Sequence, residues 1–166
     1  MSIIKNNIRK SRIQSGFTLL EVMIAMVIFS IGLLGLAGLQ ARGIQSTSMS
    51  QGRSIAIIQA YDMADRIRAN RAGITNGDYD AIAGIPAAVD CISNQCTPTQ
   101  LAAFDAFEWN TNNSNILPSG TGTVIANGAQ FMITVMWNEE RTGVAGTGCS
   151  GDLTVDLKCY QMVIAP

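Results

Sequence analysis

From Phe17 to Leu39 the chain reads FTLLEVMIAMVIFSIGLLGLAGL, an apolar run of 23 residues with one charge, Glu21. At ~1.5 Å per residue, a helix of this length spans the ~30 Å hydrocarbon core of a bilayer. A helix buried in a soluble core would show a polar face over such a length, and this run has none. Lys5, Arg9, Lys10 and Arg12 precede it without an acid among them, and no further basic residue occurs before Arg42. A basic flank stays in the cytoplasm, which sends the C-terminal body outward.

Charge follows the same division. The chain carries 11 Lys and Arg against 12 Asp and Glu, and the basic head leaves the body acidic. An acidic body is no electrostatic footprint for nucleic acid, so none is expected as a partner. The sequence has no histidine, which excludes a Ser-His-Asp triad, a Cys-His dyad and any His-ligated metal. Asp78, Asp80, Glu139 and Glu140 read as solvated loop charges rather than paired catalytic carboxylates. No enzyme, metal or cofactor is expected.

Glu21 sets this run apart from a plain membrane anchor. A carboxylate near the membrane centre costs ~2.5–3.5 kcal/mol, so it calls for a partner. No Lys or Arg is near it in sequence. A cut before Phe17 would create an α-amine one helical turn away. Residues 1–16 hold no apolar segment of their own, so they are not an ordinary secretory signal.

Gly16-Phe17-Thr18-Leu19-Leu20-Glu21, between a short basic leader and an apolar helix, resembles the class III signal of type IV pilins and pseudopilins. The resemblance implies that residues 1–16 are a leader removed by a prepilin peptidase after Gly16. It also implies that Phe17 becomes N-methylphenylalanine and that Glu21 sets assembly register. Residues 17–39 would then be the transmembrane and filament-core helix, and 40–166 the periplasmic globular domain. In a filament each Glu21 would pair with the Phe17 amine of a neighbour, and a mis-stepped subunit would leave a buried carboxylate unpaired.

Beyond Leu39 the pattern turns amphipathic. Ile44, Ser48, Gly52, Ala56, Ala60, Met63 and Ile67 recur at spacings of three and four, and Ile55 widens the stripe. This predicts a helix from about 17 to 71, packed by its second half (about 40–71) on a sheet. Asp62–Arg66 forms an i,i+4 pair. Arg66, Arg68 and Arg71 read as solvated charges at a helix end that Gly73 stops. Gly32, Gly35 and Gly38 suggest a soft segment.

A connecting loop is expected over about 74–98. Thr97-Pro98-Thr99-Gln100 has the spacing of a capping box with Pro at the first helical position, so a short helix follows and ends over Asn110–Asn115. Asn127-Gly128 signals a hairpin between Thr123–Ala126 and Gln130–Trp137. Phe131, Ile133, Val135 and Trp137 share the face expected against the long helix. A last strand is expected over about Leu153–Ile164, with a bulge where the apolar phase shifts. The fold class is α+β: a long N-terminal helix on an antiparallel sheet spanning about 121–164, in a pilin-like arrangement with disulfides. Cys91, Cys96, Cys149 and Cys159 read as two disulfides, with the local pairs Cys91–Cys96 and Cys149–Cys159 favoured among the three pairings. Their spacings lack the CxxC pairs of a zinc site.

Tyr61-Asp62-Met63-Ala64-Asp65-Arg66-Ile67-Arg68-Ala69-Asn70 is similar to the helix-end signature of the PilV type IV minor pilins, also called pilus-modification proteins. So are Asp105, Trp109, Leu117-Pro118 and Gly120-Thr121-Gly122-Thr123-Val124, and more loosely Val135-Met136-Trp137 with Glu139. The resemblance implies a minor pilin of the bacterial inner membrane and then the pilus. It would help prime pilus assembly, sit at the tip, and support adhesion and twitching motility. Implied partners are other minor pilins, the major pilin, the prepilin peptidase, the inner-membrane assembly platform and membrane lipid. Two alternatives stand beside it: a minor I-type pseudopilin of type II secretion, and a tip adhesin or DNA-uptake pilin.

Overall fold

The computed structural model describes residues 16–166, so residues 1–15 of the expected leader lie outside the described residues. The chain divides into two units, residues 1–44 and 45–166. Helix α1, Leu19–Ala69, runs through both.

In the first unit every described residue is exposed, including Phe17 at 84% and Leu34 at 79%. Thr18 starts the helix: its Oγ1 accepts the Glu21 N–H at 3.2 Å, and its carbonyl accepts the Val22 N–H. That is one half of a capping box, with the acid at the end where the helix dipole favours it. Gly32, Gly35 and Gly38 lie within the unbroken helix.

In the second unit the small-residue stripe packs from Gly52 onward; Ser48 is exposed, as is Ile44 in the first unit. Ala56, Ala60, Met63, Ala64 and Ile67 are fully buried. They share one core with the sheet, and Met63 and Ile67 are its largest contributions from this helix. Burying a side chain of that size stabilises by about 1.5–3 kcal/mol. The helix ends one turn before Gly73. Asn70 leaves helical geometry and caps α2, Arg71–Asn76, accepting the Gly73 N–H through its side chain at 3.0 Å. Gly73 is buried inside α2, where a Cβ would stand 2.6 Å from Asn70 Nδ2. Gly77, at φ 78°, supplies the stop.

The sheet has four antiparallel strands in order β1-β2-β3-β4: Ala81–Ala83, Thr121–Asn127, Gln130–Trp137 and Lys158–Ile164. Phe131, Ile133, Val135 and Trp137 are buried in one core with the stripe of α1. The β2–β3 turn centres on Gly128-Ala129, flanked by the pair Asn127↔Gln130. Gly128 has φ 62° and Asn127 is not in the positive region. Positive φ at the first central position is the pattern of a type II′ turn.

Three expectations are corrected. The connecting loop contains β1, which Asp80 extends by accepting the Ala126 N–H at 2.8 Å. Helix α3 spans Pro98–Ile116 and does not end at the asparagines. Its capping box at Thr97 and Gln100 is complete, and Asn110 and Asn113 are buried in its last turns. The last strand begins only at Lys158. Asp152 folds the preceding residues into a turn, its carboxylate accepting from the Thr154 N–H and hydroxyl and its carbonyl from the Val155 and Asp156 N–H groups. No bulge is needed, because the alternation over Leu153–Leu157 is not strand.

Disulfides join Cys91 to Cys96 and Cys149 to Cys159, with Cα–Cα separations of 5.4 and 5.7 Å. Asp156 braces the second loop, its two carboxylate oxygens accepting the Gly148 and Ser150 N–H groups at 3.0 Å each.

Candidate assembly site

The first turns of α1 carry Glu21 on one face with Ala25 and Phe29, and Phe17 lies just before them on the same side. Gly16 and Phe17 precede the helix and are exposed. A carboxylate on an otherwise apolar, uncovered surface invites a partner that offers both apolar contact and a cation. Among the described residues no ion pair involves Glu21. The sequence motif locates these three residues. The cap at Thr18 escapes it, although the T-x-x-E spacing is its signal.

A second cluster ties α1 to α3. Arg66 bonds Asp62 at 2.9 Å, Glu108 at 2.9 Å and Asp105 at 3.3 Å. Asp105 accepts the Tyr79 hydroxyl at 2.6 Å. Asn70 Nδ2 donates to Tyr79 Oη and to the Pro98 carbonyl. Burial works against the Arg66 charge, but Glu108, Asp62 and Asp105 outweigh it and hold its pKa above the ordinary value. Burial pushes the Tyr79 phenol up, and the bond to Asp105 adds to that, so it stays a donor. Arg66 is therefore a structural cation rather than a solvated helix-end charge. Arg68 pairs with exposed Asp65 at 3.0 Å, and Arg71 is exposed.

Two of the four acids read as solvated also have fixed partners. Asp78 accepts from Thr99 and Asn76, joining α2 to the start of α3. Glu139 pairs with Lys158, its side chain 6% exposed. Asp80 and Glu140 are exposed. Thr99 and Lys158 are remote in sequence, which is why loop composition alone misplaces Asp78 and Glu139.

Burial raises the Asp105 carboxyl above 3.8, against the pull of Tyr79 and Arg66. The folded state therefore binds this proton more readily than the unfolded chain. Its contribution to stability is complete below 3.8 and is lost as pH rises through the folded value. Asp105→Asn is expected to flatten that decline, read as the urea midpoint followed by circular dichroism from about pH 3 to 7. An unchanged slope would show that burial does not govern this carboxyl.

Two family models match the chain. Residues 11–37 match the prokaryotic N-terminal methylation motif. Residues 38–107 match the type IV pilin Tt1218 model. The chain is a type IV pilin-like protein. Neither the curated proteins nor the solved structures give a match to it. Pilins of this family are structural subunits, not enzymes. The methylation motif implies processing by a prepilin peptidase. The pilin match ends within α3, so it takes in Arg66, Tyr79 and Asp105 but not the sheet from β2 onward.

Proposed function

We propose that this pilin is a minor pilin of the PilV branch, a low-copy subunit that primes type IV pilus assembly and takes a place at the pilus tip. The observation that carries the reading is the role of the residues that resemble that branch. Met63, Ala64, Ile67 and Trp109 are fully buried. Arg66 and Asp105 are ion-paired, and Asn70 caps α2. The resemblance falls on the residues that fix the body of the protein, not on a motif shared by every prepilin.

In this reading the leader is cut after Gly16, Phe17 is methylated, and Phe17–Leu39 holds the body on the periplasmic side of the inner membrane. Glu21 then selects the step at which a neighbouring Phe17 amine meets it. Partners are other minor pilins, the major pilin and the assembly platform. A priming complex lowers the cost of the first helix–helix contacts, which later subunits make on an existing end. Deleting the gene is expected to strip sheared pili from a retraction-deficient strain while enzyme secretion continues. Intact pili with secreted enzymes trapped in the periplasm would instead make it an I-type pseudopilin.

A further inference from the structure

We propose that a groove beside Trp137 receives a carboxylate side chain, Asp or Glu, presented by a neighbouring subunit. The groove, about 210 Å³, lies in the second unit. One wall is α1, through Gln51 and Gly52; the other is the chain leaving β3, through Trp137, Glu139 and Arg141. This inference rests on the reading of the chain as a subunit that assembles with others.

The floor holds an unmet donor. Trp137 is 2% exposed, and its indole N–H has no hydrogen-bond partner among the described residues. Leaving such a group unpaired is destabilising. The other indole shows the usual solution, since Trp109 Nε1 donates to the Gln59 carbonyl at 2.8 Å. Gly52 puts no side chain over the indole edge: a Cβ there would stand 3.2 Å from Nε1.

The rim holds a cation in a strained position. Arg141 has φ 54°, in the left-handed region that residues other than glycine rarely adopt. Buried Asn138 maintains it: its carbonyl accepts the Arg141 N–H at 3.3 Å, and its own N–H donates to the Pro118 carbonyl at 2.7 Å. Asn138 Oδ1 also accepts the Thr142 N–H at 3.2 Å. The Arg141 guanidinium itself is exposed and has no ion pair among the described residues. Glu139 does not fill that role, because Lys158 holds its carboxylate. Glu140 is exposed in the same loop.

A buried N–H below and a free guanidinium above suit an acceptor that carries negative charge. Charge-assisted hydrogen bonds are roughly twice as strong as neutral ones. The volume admits a side chain, not a folded element. The indole supplies the floor of the groove, and Glu139 with Lys158 supplies a wall of no net charge.

The test uses the full chain in detergent micelles with 15N-labelled indoles. The chain has two tryptophans, and Trp137→Phe assigns the signals. The probe is N-acetyl-glutamate N-methylamide, with its glutamine counterpart as neutral control. The Trp137 N–H signal is expected to move with the glutamate probe while Trp109 stays. The glutamine probe and the Arg141→Gln variant should each respond at least about tenfold more weakly. Gly52→Ala should abolish the response with helix content unchanged. The proposal fails if the signal does not move up to about 0.1 M probe, if the neutral probe matches the acid, or if Arg141→Gln changes nothing. None of these outcomes depends on pilus counts, so the minor-pilin reading stands or falls separately.

Discussion

Glu21→Gln is expected to give a subunit that is cleaved normally after Gly16 yet largely missing from sheared filaments. Removing one partner of a buried ion pair costs about 3–5 kcal/mol, which corresponds to a loss of roughly a hundredfold or more in association. The isolated chain should scarcely notice. Glu21 is exposed there, and its bond to Thr18 Oγ1 uses the backbone N–H, which glutamine retains. The measurement is an immunoblot of shed filaments against membranes. Normal incorporation with normal processing would remove Glu21 from assembly.

Gly122→Val is expected to lower the melting temperature of the body by about 10 °C, from a loss of about 3 kcal/mol. Gly122 lies in β2 beneath the Trp109 ring, where a Cβ would stand 2.2 Å from Cη2. The indole would have to leave, and its bond to Gln59, which ties α3 to α1, would leave with it. The Gly122 N–H bond to Asn110 Oδ1, at 2.6 Å, would be strained as well. Gly128→Ala is the control, since nothing lies within 4 Å of its Cβ and only the turn's φ of 62° resists the change. Equal effects from the two variants would show that the indole contact is not what demands glycine in β2.

What the sequence disclosed was local. The α3 capping box is carried by residues three apart, and the β2–β3 hairpin by the glycine in its turn. The Gly16–Glu21 motif is likewise contiguous. What it concealed depends on partners distant along the chain. Ala81–Ala83 has no strand pattern of its own and becomes β1 by pairing with β2. Asn110 looks like a helix end, but Gly122 engages its side chain from β2. Leu153–Leu157 is the local exception: it alternates like a strand, but Asp152 folds it into a turn through its own neighbours. The groove at Trp137 needs Gly52 and Arg141 together, and only the folded chain unites them.

The two disulfides have a consequence for how the chain matures. Their cysteines are 5 and 10 residues apart, whereas either cross-pairing would close a far longer loop. The entropy of loop closure handicaps such cross-pairings by about 1–2 kcal/mol in an unfolded chain, and short loops close within about 100 ns. The native bridges are thus also the kinetically nearest ones. Oxidation can run ahead of folding without trapping the chain, and little reshuffling is needed before the sheet forms.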